Sequence, residues 1–82
     1  GSGMNIAIHS IQGTRWQGSA SKLICYTALG QMTVLDHHIP LISSITGPSV
    51  EVTGAEGNKE TIPVSSGFIE VRPGSEVIVL AQ

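Results

Sequence analysis

Short alternations of apolar and polar residues run through the chain and predict β-strands. Within Asn5–His9, Ile6 and Ile8 occupy alternate positions, which is the period of a half-buried strand. The same period recurs at Leu23 and Cys25, Met32 and Val34, Leu41–Thr46, Val50 and Val52, Ile62 and Val64, Phe68–Arg72, and Glu76–Leu80. No 3.6-residue period persists through a window long enough for a helix, and turn signals recur every eight to twelve residues or so. The pattern predicts an all-β chain of about eight to ten short, mostly antiparallel strands, arranged as a sandwich or a barrel.

Turn residues mark the ends of these strands. The segment Gly30–Leu41 begins as a strand and breaks at Asp36-His37-His38, where Pro40 fixes its own φ. A polar hairpin loop is expected at Gly54–Asn58, and Arg72-Pro73-Gly74-Ser75 has the signature of a type II turn. Because a proline inside a strand removes a hydrogen-bond donor, the strand with Pro63 should lie at a sheet edge. Trp16 is expected to fill one end of the core.

Length and composition define one small domain. Gly1-Ser2-Gly3 resembles an expression-tag remnant, and residues 4–82 form a single domain that buries only about 60 % of its unfolded surface. No stretch approaches the ~20 apolar residues of a membrane span, so we expect the chain to be soluble. The single Cys25 indicates a reducing compartment.

Charge argues against nucleic acid and for protein partners. The formal charge is −2, and the four basic residues are scattered along the sequence rather than clustered. Only 12 % of residues are charged, about half the usual share for a soluble domain. A surface this poor in charge is typical of a subunit that neighbours cover.

The turn Asp36-His37-His38 has two interpretations. An acid beside two histidines could hold a metal or a small ligand, which would make the chain a freestanding recognition domain. A catalytic metal needs at least three protein ligands, and neither His9 nor the remaining acids make a ligand spacing with Asp36. The structural interpretation is that Asp36 caps the turn while the chain returns to the core. We predict no metal, no cofactor and no catalytic residue here.

Other catalytic signatures are weak. None of the serines Ser10, Ser43, Ser65 and Ser66 lies in a G-x-S-x-G elbow. A catalytic thiol is disfavoured because the nearby Lys22 alternates to the face opposite Cys25. The chain is therefore expected to be a binding or structural component, not an enzyme.

Two sequence blocks carry a resemblance to a known family. The first is G-x-x-x-V-x-x-x-H-x-P-L over Gly30–Leu41, and the second is V-S-x-G-F-x-E-V over Val64–Val71. With Pro73-Gly74 and Val77-x-Val79-Leu80-Ala81, they are similar to the amino-terminal domain of the epsilon subunit of F-type ATP synthases. The similarity runs without gaps from about Met4 to Ala81.

The resemblance implies a flattened, ten-stranded β-sandwich that is monomeric in isolation, does no chemistry and is peripheral to the cytoplasmic face of a bacterial inner membrane. Its partners would be the gamma subunit and the c ring. The implied gamma contacts are Ser10, His38, Ile39, Pro40, Leu41, Ile42 and Ser43. The implied c-ring contacts are Tyr26, Thr27, Ala28, Leu29, Gly30, Gln31, Met32 and Thr33.

Two departures from the family pattern change these expectations. The family hairpin usually carries acidic residues beside its glycine, whereas this chain has Leu29-Gly30-Gln31, so its ring contact should depend more on apolar burial than on charge. The chain also ends at Gln82, where the family continues into two helices that inhibit ATP hydrolysis and, in some members, bind ATP. Neither property is expected of these 82 residues.

Overall fold

A computed structural model describes residues 3–82 and contains seven β-strands and no helix in that range. The strands are β1 (Met4–Ser10), β2 (Gly13–Thr27), β3 (Gly30–Leu35), β4 (Leu41–Gly54), β5 (Lys59–Pro63), β6 (Ser66–Arg72) and β7 (Glu76–Ala81). Every pairing is antiparallel except β1 with β7, which is parallel. The prediction of an all-β, mostly antiparallel fold is confirmed.

The two longest strands serve both layers of the sandwich. A straight strand of 15 residues would reach about 50 Å, yet the longest dimension of the molecule is 31 Å, so β2 has to bend. Layer 1 consists of β3, the second halves of β2 and β4, and β5. Layer 2 consists of the first half of β2, then β1, β7, β6 and the first half of β4.

The predicted number of eight to ten strands was therefore wrong, since seven are present. The segments on either side of Ser21 form one bent strand, with a register shift between Ala20 and Lys22. Gly47-Pro48, a pair that locally favours a turn, lies inside β4. The ladder continues there because the Pro48 carbonyl accepts a hydrogen bond from the Val64 amide at 3.0 Å.

The core lies between the layers and is entirely apolar. The most completely buried large side chains come from all strands except β5 and are Met4, Ile6, Ile8, Leu23, Val34, Ile45, Val50, Val52, Ile69, Val77 and Val79. Trp16, Met32 and Leu41 are partly buried and pack against this cluster at its margin. Trp16 thus packs at the rim of the core, as expected of a residue that fills its end.

The predicted turn at Gly74 and the predicted edge position of the strand with Pro63 are both confirmed. Gly74 has a φ of +83°, the value that the third position of a type II turn requires. Pro63 ends β5, which pairs only with β4 and forms one edge of layer 1.

Candidate interaction surfaces

The residues predicted to contact gamma lie at two sides of layer 2. Ser10 ends β1, and the remaining six form the loop before β4 and its first three residues. Strand alternation divides them. Ile42 is 73 % exposed on the outer face, whereas Leu41 packs partly against the core. Ser43, on the same side of the strand as Leu41, is half-buried and donates a hydrogen bond to the Ser44 carbonyl at 3.0 Å.

An apolar stripe on the outer face of layer 2 lies between these two groups. It consists of Ile42, Phe68, Ile78 and Leu80, and we call it the outer stripe. Phe68 pairs directly with Leu80, while Ile42 and Ile78 both pair with Glu70 on opposite sides. Phe68 and Leu80 are 51 % and 53 % exposed. Apart from Glu70, which lies between Ile42 and Ile78, this surface is apolar, and an exposed apolar surface of this kind is typical of a protein-binding face.

Sequence reasoning missed Phe68, Ile78 and Leu80 as site residues. The available signal was their position: Phe68 and Leu80 alternate with buried Ile69 and Val79, so both had to point outward. Two large apolar side chains on the solvent side of neighbouring strands indicate a covered face.

The residues predicted to contact the c ring form one continuous hairpin in layer 1. It runs from the end of β2 through Ala28-Leu29 into β3. Leu29 is fully exposed at the tip, with a relative exposure of 101 %. The Thr27 hydroxyl fixes the turn, since it accepts a hydrogen bond from the Leu29 amide and donates one to the Gly30 carbonyl, both at 3.1 Å. An apolar side chain is therefore presented on a rigid turn.

The hairpin between β1 and β2 is built in the same way. The Ser10 hydroxyl accepts a hydrogen bond from the Gln12 amide at 3.1 Å and donates to the Gly13 carbonyl at 3.4 Å. Ile11 at its tip is 97 % exposed. Because Gly13 begins β2 and Thr27 ends it, a single strand connects these two apolar tips.

The Asp36-His37-His38 turn is tied to two other parts of the chain. The Asp36 carboxylate accepts hydrogen bonds from the Ser75 hydroxyl and from the Gly3 amide, the latter at 3.1 Å. These bonds hold the pKa of Asp36 below its usual value, with the Ser75 hydroxyl as the largest cause. Asp36 therefore joins this turn to the turn before β7 and to Gly3, whereas the sequence predicted only a local cap.

The two histidines of this turn offer little to a metal. His37 is exposed, and its Nε2 lies 3.6 Å from the Asp36 carboxylate. The Nδ1 of His38 is 2.8 Å from the Ile39 carbonyl oxygen. Across residues 3–82, no group of three or more His, Cys, Asp or Glu side chains is placed to hold a metal ion. Asp36, His37 and His38 are therefore not arranged as the three protein ligands that a metal site needs.

Cys25 has the environment of a structural thiol. Its side chain is completely buried, and desolvation raises its pKa to about 11. The thiolate that a nucleophile requires is therefore scarce at neutral pH.

The described range also holds no helix long and apolar enough to cross a membrane.

These features define a small β-sandwich with apolar surfaces at separate sites. Residues 3–82 match the family model described as "ATP synthase, Delta/Epsilon chain, beta-sandwich domain". The chain belongs to this family, as the two sequence blocks indicated.

Relatives in bacteria carry the name ATP synthase epsilon chain. The relative in Shouchella clausii (strain KSM-K16) is 34 % identical over 80 residues, which cover 96 % of this chain and 58 % of that protein. The relative in Dichelobacter nodosus (strain VCS1703A) is 33 % identical over 66 residues, or 80 % of this chain and 46 % of that one. The chain thus spans about half the length of the curated relatives it matches.

Two cryo-EM structures share the fold. A chain of the Euglena gracilis mitochondrial ATP synthase, in a structure of OSCP, F1 and the c ring, superposes with a TM-score of 0.91. It is 20 % identical, and the match covers 99 % of this chain and 51 % of that one. A chain from the central stalk and c ring of the Tetrahymena thermophila enzyme gives a TM-score of 0.81 at 6 % identity, covering 99 % and 64 %.

Proposed function

We propose that this chain is a non-catalytic subunit of the central stalk of an F-type ATP synthase, which binds the gamma subunit and rests on the c ring. In this role it would couple ion-driven rotation of the ring to ATP synthesis, peripheral to the cytoplasmic face of a bacterial inner membrane. The observation that carries the proposal is the family match over residues 3–82, combined with two separate apolar surfaces.

The outer stripe and its two flanking groups form the surface proposed for gamma. Ile42 belongs to both the predicted contacts and the stripe, and Ser10 is placed at the opposite side of the same layer. His9, next to Ser10, pairs with Leu80 of the stripe. One partner could therefore cover the predicted residues and the stripe together.

The hairpin tip at Leu29 is the surface proposed for the c ring. Leu29 is fully exposed on a turn fixed by Thr27, so its side chain can contribute to stability only through a partner. Complete burial by that partner would stabilise the complex by about 1.5–3 kcal/mol. Such a contact should respond weakly to salt, because screening acts on charges and not on apolar burial.

A stiff connection between the two surfaces suits a coupling role. β2 runs without interruption from Gly13, beside the Ser10 turn, to Thr27 at the hairpin tip. It is bonded along its length to β1, β3 and β4. Load applied at one end would meet a hydrogen-bonded sheet over a close-packed core, which deforms little.

We also propose that these 82 residues by themselves neither inhibit ATP hydrolysis nor bind ATP. The family resemblance assigns both properties to helices that lie outside this sequence. No observation favours the alternative of a metal-binding recognition domain, because Asp36, His37 and His38 are not placed together as a metal-binding group within the described range.

Mixing the purified chain with the cognate gamma subunit tests the proposal. Sedimentation velocity should show a one-to-one complex at micromolar concentration. Two folded partners that sediment independently would overturn the proposed function. In a parallel thermal-shift series with zinc, manganese and nickel, we expect an unchanged midpoint; a rise abolished by replacing His37 and His38 would support the alternative.

A further inference from the structure

The two edges of layer 1 differ sharply in sequence. β3 forms one edge and has no charged residue and no proline between Gly30 and Leu35. β5 forms the other edge and contains Lys59, Glu60 and Pro63. Charges and proline are the usual means by which a protein prevents an exposed edge from pairing with another chain. β5 carries this protection and β3 does not.

The register identifies which backbone groups of β3 point away from the sheet. Thr27 and Gly30 flank a two-residue turn, so they form a hydrogen-bonded pair, and such pairs alternate along an antiparallel ladder. Met32 and Val34 therefore bond to β2, while Gln31, Thr33 and Leu35 direct their amides and carbonyls outward.

The outward groups of β3 are almost all free. The Leu35 carbonyl accepts a hydrogen bond from the His38 amide at 3.1 Å. For the other outward groups, on Gln31, Thr33 and Leu35, the structure records no partner within residues 3–82. Exposed edge groups of this kind form a template for a further strand.

The same alternation of backbone direction, continued through β2 and β4, identifies which backbone groups of β5 point away from the sheet. It directs Lys59, Thr61 and Pro63 outward on β5. Pro63 has no amide to leave unpaired, and its carbonyl already accepts a hydrogen bond from the Arg15 guanidinium at 3.4 Å. On this edge the Pro63 position is therefore closed by the chain itself, whereas the outward backbone groups of Lys59 and Thr61 are protected only by the neighbouring charges and proline of β5.

We propose that the β3 edge binds an extended loop segment of the c ring, which adds to layer 1 as a fifth strand. The inference rests on the proposed function, because β3 begins at the Leu29 tip and its first four residues belong to the proposed contact hairpin. The side chains of β3 define the chemistry of the partner segment. Met32 is half-buried at the core margin, so the inward positions should be apolar. Gln31 and Thr33 are uncharged, so the outward positions need no charge.

Amide hydrogen exchange of the free and assembled chain tests this inference. We compare the free chain, its complex with gamma, and its complex with gamma and the c ring. In the complex that contains the c ring, the outward amides of Gln31, Thr33 and Leu35 should exchange up to about tenfold more slowly than in the free chain, which is the effect of one net hydrogen bond. The same slowing in the complex with gamma alone would overturn the assignment to the c ring. The outward amides of Lys59 and Thr61 on β5 are the internal control and should not change.

Edge substitutions supply the matched variants. Thr33→Lys places a charge at the uncharged β3 edge, and Thr61→Lys places the same charge at the β5 edge, which already carries charges. Thr33→Lys should weaken assembly about tenfold and Thr61→Lys should leave it unchanged. Urea unfolding of both free variants confirms that each retains the fold.

Each outcome has a separate meaning. If no complex forms, the proposed function fails and this inference fails with it. If complexes form but the β3 amides exchange as in the free chain, the inference alone is overturned. If protection appears in the chain alone and grows with its concentration, the occupant is a second copy, which overturns the assignment to the c ring.

Discussion

Polar substitution of the outer stripe should weaken gamma binding by an amount that the structure sets. We consider the double variant Phe68→Thr with Leu80→Thr, because threonine keeps a high strand propensity while removing most of the apolar surface. The two side chains are 51 % and 53 % exposed in the free chain, so about half of their surface remains for a partner to bury.

The expected loss of binding free energy follows from the exposed half of these two side chains. Complete burial of a Phe or Leu side chain contributes about 1.5–3 kcal/mol, so burying the remaining half contributes about 0.8–1.5 kcal/mol for each residue. The double variant should therefore lose about 1.5–3 kcal/mol of binding free energy, which raises the Kd for gamma by roughly 10- to 150-fold.

Isothermal titration calorimetry of each variant into gamma measures this change. Leu29→Thr is the control, since it removes an even more exposed apolar side chain from the other surface and should leave the Kd for gamma unchanged. Urea unfolding of the free variants verifies that the sandwich is intact. A double variant that binds gamma as tightly as the parent chain would refute the assignment of the stripe, as would an equal loss in Leu29→Thr.

Three further predictions concern other parts of the molecule. Leu29→Ser should weaken binding of the chain to c rings by up to about 1.5–3 kcal/mol, equally at low and high salt. Co-sedimentation with the rings measures this change, and a strong salt dependence would contradict an apolar contact. The folded-state pKa of Asp36 is lowered, so its contribution to stability is present above its unfolded pKa of about 3.9 and is lost as the pH falls through the lower folded pKa. Acid unfolding should therefore begin at a higher pH in Ser75→Ala than in the parent chain. Identical acid titrations would exclude the Ser75 hydrogen bond as the cause of the lowered pKa of Asp36. The buried thiol of Cys25, with a pKa of about 11, should react with iodoacetamide only as fast as the sandwich opens, and labelling at the rate of a free thiol would contradict its burial.

Most of the fold could be predicted from local patterns. Alternation identified the core faces of the strands, because the side-chain period of a strand is two whatever the tertiary context. A different rule predicted the edge position of β5 from Pro63, since a proline has no amide hydrogen to donate to a ladder.

The bends in β2 and β4 could not be predicted in this way. Ser21 and the Gly47-Pro48 pair have the local character of strand ends, but long-range pairing keeps the backbone extended through both points. Val64 supplies the bond to Pro48 from 16 residues further along the chain. A local pattern contains no information about such partners.

Individual site residues were harder to predict than the fold. The resemblance indicated Ile42 and Leu29, and both are largely exposed. Phe68 and Leu80 were overlooked because each is an ordinary strand residue by itself, and only the register places them side by side. The glycine of the second sequence block has a packing reason that the sequence did not show: a Cβ on Gly67 would overlap the Leu80 carbonyl oxygen.

The bridging role is tested most directly by measuring how much gamma is retained on purified c rings with and without this chain. With the chain present, gamma and the chain should be retained on the rings in a one-to-one ratio. Both Leu29→Thr and the double variant of the outer stripe should reduce the amount of gamma retained. Retention of gamma that is the same in the presence and absence of the folded chain would contradict the account.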